Sequence, residues 1–440
     1  MKIVDIKGYE ILTTAGTSTV SVELFLEGDD SFYGYPGSAA QGTSKSMYEP
    51  SYDGSIEPSA DVEDELVFTP NQGKINQALF EMKRALVGKE VTSNEVDKIL
   101  CEVDGTENKQ RLGSSIILAT SIAACRAEAT QKDTNLNNFL SDKITQKKFR
   151  IPDPLINIIN GGAHVSLPTI ALQEILLVPV FEEGTTFSSI LFYAQEVFLT
   201  LQRLLKKRSI FYGFGLEGGI AAQWDSVDQP IELLLEAIHL SELSDSFAIG
   251  FDCAASTWFD KKRGMYRFGQ TGKSYSSDQL LTWYNTLVSQ YPIKYLEDPF
   301  AEHDHDAWKQ LKHMSKDKYY IVGDDLCATQ VKHIERPDIQ EMINAVIIKP
   351  SQVGTVTETI NAINAAKAKD LEIVFSRRSC ETEDDFIVDL ALTGSLFCKF
   401  GNITQGSTQK YNQLHQFFLK IANLALRSKG PQEVVAMNKG

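Results

Sequence analysis

The sequence predicts an α/β protein, a (β/α)8-type barrel preceded by a smaller α+β domain. Two observations carry that prediction. From about Lys147 onward, short apolar runs of strand length alternate with amphipathic helical patterns, whereas the first 135 residues read as a meander followed by helices. Candidate strand ends at Glu297, Asp324, Lys349, Ser376 and Lys399 then fall 27, 25, 27 and 23 residues apart by subtraction, close to the length of one βα unit. A doubly wound open sheet is the alternative, but no GxGxxG follows an early strand.

In the first domain, residues 1–135, Lys2–Tyr9 and Thr19–Leu26 alternate like strands. Gly28-Asp29-Asp30 reads as a turn and Ser31–Tyr35 as a return strand. Residues 36–69 are rich in Gly, Ser, Pro, Tyr and acidic side chains and carry little periodicity. A loop of that length is a functional lid or a disordered segment; composition weighs the two equally, and 36–69 is read as the lid loop of the first domain. Helical patterns follow at about Asn71–Leu86, Ser93–Glu102 and Ser114–Gln131, the last rich in small residues and suited to close packing. The barrel is expected over 147–440, with strands Leu155–Ile159, Leu172–Val178, Ala248–Asp252, Ile293–Glu297, Tyr319–Asp324, Ala345–Lys349, Glu372–Ser376 and Leu396–Lys399.

At 440 residues and 42% hydrophobic, the chain has room for such a barrel plus an extension. Its formal net charge of −15 argues against a nucleic-acid surface or an anionic membrane as partner. There is no apolar run of membrane-spanning length and no signal-peptide core at the N-terminus. The six cysteines form no CxxC and no regular framework, as buried thiols of a reducing compartment do. A cytoplasmic protein is expected.

The chemistry centres on Asn344–Thr359, NAVIIKPSQVGTVTET. An apolar strand ends on Lys349, a Pro/Gly loop follows, and Thr355, Thr357 and Glu358 mark a helix entry. A lysine at the end of a buried barrel strand is where such enzymes keep catalytic groups; taken alone it reads equally as a snorkelling lysine. Three other strands end in carboxylates: Asp252, Glu297 and Asp324. Strand ends of a barrel converge, so three carboxylates there repel one another unless a cation lies between them, and hard oxygen ligands favour Mg²⁺. Lys349 and Lys399 would face that metal, and a lysine near other cations has a depressed pKa suited to a base. Glu174 follows a strand, and Glu217 sits in the glycine-rich GFGLEGGI; either is a candidate acid for a leaving group, or a surface or capping residue. His164 in NIINGGAH is a site or a structural loop histidine, and Ser376-Arg377-Arg378-Ser379 a phosphate cradle or a solvated basic loop.

Taken together and in order, NIINGGAH, LQE, GLEGG, FDCAAS, YPIKYLEDPF, IVGDDL, NAVIIKPSQVGTVTET, SRRSCETED and KYNQL resemble the enolase family, and DGTENKQRLGSS resembles its N-terminal domain. The resemblance covers essentially the whole chain. It implies an enolase-type modified (β/α)8 barrel and the reversible dehydration of 2-phosphoglycerate to phosphoenolpyruvate with Mg²⁺. It further implies that Asp252, Glu297 and Asp324 hold the metal, that Lys349 removes the C2 proton and that Lys399 binds the substrate carboxylate. Glu217 would assist hydroxide loss with Glu174 as partner, His164 and Gln173 would lie beside the substrate, and Arg378 and Ser379 would bind its phosphate.

Several positions depart from the family pattern. Arg377 stands where the family has histidine and Cys380 where it has glycine. Ala40 replaces a lid serine that would bind a second Mg²⁺, Leu216 replaces an acidic residue, and Thr14–Thr19 replaces SRGNPT. The family's pairing implies a homodimer, yet the glutamate and arginine of that contact correspond to Ser21 and Gln416. Arg377 either enters the pocket or turns toward the acidic Glu381–Asp384 segment. Phosphopyruvate hydratase is the expected activity; an enolase-like enzyme for another phosphorylated or phosphonylated small acid, and a non-catalytic binding protein, are the rivals.

Overall fold

The structure, a computed structural model, describes residues 1–28, 34–43, 46–56, 69–145, 150–165, 169–181, 185–268 and 272–428. Strands β1 (Ile3–Leu12), β2 (Ser18–Leu26) and β3 (Tyr35–Ser38) form an antiparallel meander in that order. The return strand expected over Ser31–Tyr35 is described over Tyr35–Ser38; residues 31–33 lie outside those described, as do 44–45 and 57–68 of the expected lid.

Helices α1 (Gln72–Leu86), α2 (Ser93–Asp104), α3 (Ser114–Gln131) and α4 (Leu136–Asp142) follow. Ile3, Ile6, Val22 and Leu24 of the strands share one core with Leu79, Met82, Leu100 and Ile117 of the helices. The small residues of α3 have a specific use. At Gly37 of β3, a Cβ would lie 2.1 Å from the Ala119 carbonyl oxygen, so strand and helix meet backbone to backbone.

The barrel starts at residues 153–160, one segment in two halves, β4 (Asp153–Pro154) and β5 (Ile156–Asn160). Its wall continues through β6 (Glu174–Pro179), with a hairpin of β7 (Tyr212–Phe214) and β8 (Ile220–Ala222) attached to β5, to β9 (Phe247–Asp252). A small separate sheet comprises β10 (Phe259–Asp260), β11 (Met265–Arg267) and β12 (Ser274–Tyr275). The wall resumes with β13 (Ile293–Glu297), β14 (Tyr320–Gly323), β15 (Ala345–Ile348), β16 (Glu372–Ser376) and β17 (Phe397–Lys399), all parallel. β17 pairs with β4, and the Leu155 N–H donates to the Cys398 carbonyl at 2.9 Å, which closes the wall.

Side chains alternate across this wall as the pleat requires. Ala345 and Ile347 face an inner cluster with Leu176, Tyr295, Val322 and Val374, while Val346 and Ile348 belong to the larger cluster shared with the surrounding helices. Those helices are α5 (Phe187–Lys207), α6 (Asp228–Leu240), α7 (Ser277–Gln290), α8 (His305–Ser315), α9 (Val331–Ile334), α10 (Val356–Ala368), α11 (Phe386–Ala391) and α12 (Thr408–Ser428). Thr355 caps α10, its hydroxyl accepting the Glu358 N–H, as the threonine-rich loop leads one to expect.

One strand breaks the parallel pattern. β6 runs antiparallel to both neighbours, with Asn160 opposite Glu174 and Glu174 opposite Asp252. Its first residue therefore stands at the end of the barrel where the other strands finish.

The meander-and-helix layer is fastened to the barrel by buried charge. Arg126 of α3 donates to both Asp384 oxygens at 2.7 and 2.9 Å and to Asp385 at 2.7 Å, and Asp384 also accepts the Ser38 N–H. Arg126→Ala would strand the buried Asp384 carboxylate, so it should lower the unfolding free energy in urea by about 3 kcal/mol. A loss within experimental error of zero would show that this fastening is dispensable.

Candidate active site

At the barrel mouth β9 and β13 end on Asp252 and Glu297, Asp324 and Lys349 follow β14 and β15 directly, and β17 ends on Lys399. β6 delivers Glu174 to the same place because it runs backwards. All these carboxylates and Lys399 are buried. The parallel registers set Glu297 beside Asp252 and Lys399 beside Ser376.

Lys399 is the hub. Its Nζ lies 2.8 Å from Asp252 Oδ2, 2.8 Å from Glu297 Oε1 and 3.2 Å from Glu174 Oε2. Burial alone would lower its pKa, but Asp252, Glu174 and Glu297 outweigh burial and hold the ammonium well above the ordinary lysine value. Gln173 Nε2 adds a 3.2 Å bond to Asp252, and the Tyr295 hydroxyl donates to Glu297 Oε2 at 2.7 Å. Burial and the neighbouring Asp252 push Glu297 well above the usual carboxylate range.

Lys349 pairs with Asp324 Oδ2, whose other oxygen accepts Gln352 Nε2 at 2.9 Å. Here the structure differs from the sequence expectation of a depressed lysine. Burial favours the neutral amine, but the Asp324 carboxylate outweighs it and raises Lys349 above its ordinary value. The same pair, against the effect of burial, lowers Asp324.

His164, Glu174 and Glu217 form a second group, offering side-chain atoms within 4.8 Å of one another. His164 Nδ1 approaches Glu174 Oε1 at 3.4 Å, and burial lowers its pKa, which favours the neutral ring. Glu217 is positioned by its glycines. Gly218 has φ +81°, and a Cβ at Gly219 would meet Asn157 Oδ1 at 2.5 Å, while Asn160 Oδ1 accepts the Gly219 N–H.

Arg377 is buried and turns into this group. Its Nε donates to Glu217 Oε2 at 3.1 Å and its Nη2 to the Leu216 carbonyl at 3.3 Å. Burial raises Glu217, but the Arg377 guanidinium outweighs it and holds the carboxyl down at about 2. Glu174, buried without such a partner and next to Glu217 and Asp252, is pushed up to about 8 despite Lys399. Arg377 thus favours the ionised form of Glu217, whereas burial and the neighbouring carboxyls favour the protonated form of Glu174.

Arg378 and Ser379, expected to hold a phosphate, are engaged by the first domain. Arg378 Nη2 lies 3.0 and 3.2 Å from the two Glu49 oxygens, and the Ser379 hydroxyl accepts the Thr43 N–H at 2.9 Å. Gln41 and Cys380 exchange backbone bonds at 2.9 Å in each direction. Gly42 permits this approach, since a Cβ there would lie 1.8 Å from Arg378 Nη2. Ala40 lines a cavity of ≈ 50 Å³ together with Lys349, Ser376, Arg377 and Arg378, so the segment 36–43 does reach the site.

The donors suit a hard divalent cation. Asp252, Glu297 and Asp324 present only oxygen atoms and already draw in lysine ammonium groups as counter-charge. Among the described residues, the three carboxylates whose oxygens lie within 4.8 Å of one another are Asp298, Asp324 and Asp325, not Asp252, Glu297 and Asp324. Asp298 has another task, because its two oxygens accept the Asp324 and Asp325 N–H groups at 3.0 and 2.8 Å and so fix that loop. Sequence reasoning does not single out Asp298, Gln352 or Glu49. The first two lie inside the stretches LEDPF and KPSQVG, but partners so distant in sequence leave no local signal.

Fold and mouth together define a closed barrel whose acidic and basic strand ends face the meander-and-helix layer. The family model for the enolase C-terminal TIM barrel domain matches residues 148–426, and that for the enolase N-terminal domain matches residues 3–140. The chain is 33% identical over 418 residues to a protein named enolase from Metallosphaera sedula, covering 94% of this chain and 95% of that one. It is 34% identical over 415 residues to the enolase of Saccharolobus solfataricus, covering 93% and 94%. The chain belongs to the enolase family, and it is an enolase-like lyase.

Proposed function

We propose that the chain is a cytoplasmic, Mg²⁺-dependent hydro-lyase that interconverts 2-phosphoglycerate and phosphoenolpyruvate, with residues 147–440 as catalytic barrel and 1–135 as the lid-bearing domain. The observation that carries this reading is the placement of Lys349 and Lys399 at one mouth, each against the carboxylates of neighbouring strand ends. Asp252, Glu297 and Asp324 would hold Mg²⁺, whose charge stabilises the doubly negative enolate formed when a proton leaves carbon beside a carboxylate.

Lys349 is the base at C2. With Asp324 engaged elsewhere, burial and the cations Arg378 and Lys399 favour the neutral amine, against the remaining pull of Glu297. Lys399 orients the substrate carboxylate. Glu174 and Glu217 flank the departing hydroxyl, with the proton on Glu174, and His164 and Gln173 complete that wall. Arg378 and Ser379 take the phosphate.

A second reading is favoured by one observation. Arg377 fixes a permanent positive charge beside Glu217 where the family pattern has an imidazole, and its Nη1 is buried without a hydrogen-bond partner among the described residues. Such a donor suits a phosphorylated or phosphonylated acid that carries a further acceptor near its leaving group.

Three measurements test these readings. Lys349→Ala should slow exchange of the substrate C2 proton with solvent by about 10²–10⁴-fold; near-normal exchange, followed by NMR in deuterium oxide, would remove the proposed base. Mg²⁺ at 100 times its dissociation constant should stabilise the parent by about 2.7 kcal/mol, and Asp324→Asn should abolish most of that gain. A melting temperature insensitive to Mg²⁺ in the parent sinks the metal site. Arg377→His should raise phosphoglycerate turnover and weaken binding of analogues with an added anionic group; no change in either quantity excludes Arg377 from substrate selection.

A further inference from the structure

The proposed anion site is already filled by the chain itself. Glu49 is buried against Arg378, which bonds both its oxygens. The Tyr52 hydroxyl donates to Glu49 Oε2 at 2.6 Å, the Ser46 N–H to Oε1 at 3.2 Å, and Gln352 Nε2 approaches Oε1 at 3.5 Å. The Tyr52 ring also stands 5.9 Å from the Arg378 guanidinium. A surface ion pair would exchange freely with solvent; this one is enclosed and supplied with donors from two separate parts of the chain.

We propose that Glu49 is a resident competitor for the guanidinium of Arg378, and that it sets the charge an incoming group must carry. The inference rests on the reading that Arg378 takes the anionic group of the substrate. A monoanionic carboxylate can only replace one carboxylate by another while forfeiting the bonds from Tyr52 and Ser46. A phosphate or phosphonate dianion brings a second charge and a third oxygen, within reach of the Ser379 hydroxyl and Thr43, which already bond each other at 2.9 Å. Discrimination between the two classes then comes from the group that must be displaced as much as from the group that binds. Glu49 is thereby a specificity-determining residue that takes no part in proton transfer.

The test is calorimetric titration of the full chain with inorganic phosphate at about pH 8, where it is dianionic, with acetate as the monoanionic comparison. Glu49→Gln should tighten phosphate binding by about tenfold or more, because the competent state no longer has to be vacated, and should narrow the preference for phosphate over acetate. Tyr52→Phe keeps the charge but loosens its seat, so it should shift both quantities in the same direction by less, and it carries the test if Glu49→Gln does not fold. Adding Arg378→Gln to either variant should abolish the gain. Equal phosphate affinity in the parent, Glu49→Gln and Tyr52→Phe overturns the proposal while leaving Arg378 as the anion site. Absence of phosphate binding in all of them overturns the assignment of Arg378 itself, and the proposal with it.

Discussion

The convergence of carboxylates at the mouth of a closed barrel is the constraint on which the rest of the structure depends. Asp252, Glu297 and Glu174 meet around the single Nζ of Lys399, and Asp324 is met by Lys349. Buried charges of one sign cannot be left unpaired in a medium of low polarisability. The acidic strand ends therefore need basic ones among them, and two lysines, after β15 and at the end of β17, serve all four carboxyls. The arrangement also explains why Gln352 and Tyr295 are turned toward these carboxylates: neutral donors meet the Asp324 and Glu297 oxygens that the ammonium groups leave unmet, while Gln173 shares Asp252 Oδ2 with Lys399.

Geometry supplies what charge alone cannot. If β6 ran parallel to its neighbours, Glu174 would sit at the far end of the wall. Reversal of that one strand puts Glu174 opposite Asp252 and lets β6 contribute through its first residue instead of its last. Asp298, with φ +43°, holds the following loop by accepting two backbone N–H groups, so that Asp324 projects into the mouth while Asp325 packs beside it. A positive φ at a non-glycine residue next to the site is a cost that these bonds offset.

Much of this is legible in the sequence. The apolar strands Ile293–Glu297 and Glu372–Ser376 agree with the structure to the residue because period and composition both mark a buried strand there. Lys349, Asp252, Glu297 and Asp324 stand out because they interrupt such runs at one end. The antiparallel sense of β6 is not legible, since hydrophobic pattern carries no direction. The extent of β3 escapes the pattern because Pro36 and Gly37 resemble loop residues; their place in a strand follows from the close approach to α3, a tertiary effect. Nor can the pairs Arg377–Glu217 and Arg378–Glu49 be foreseen, being separated by 160 and 329 positions.

Those two pairs make adjacent arginines do different work. Arg377 is committed to a barrel carboxylate and Arg378 to one from the first domain, so the doublet is neither a solvated basic loop nor a ready phosphate cradle. A guanidinium fixed beside Glu217 favours its ionised form, while burial and the neighbouring Glu217 and Asp252 favour the protonated form of Glu174. Two carboxyls in one pocket with pKa values driven apart are the usual physical basis for dividing acid and base roles. Under the proposed reaction the imidazole-to-guanidinium change is therefore more than the loss of a neutral ring. It shifts the balance of protonation between two neighbours toward Glu174, and under that reaction it would leave a fixed positive charge beside the departing group.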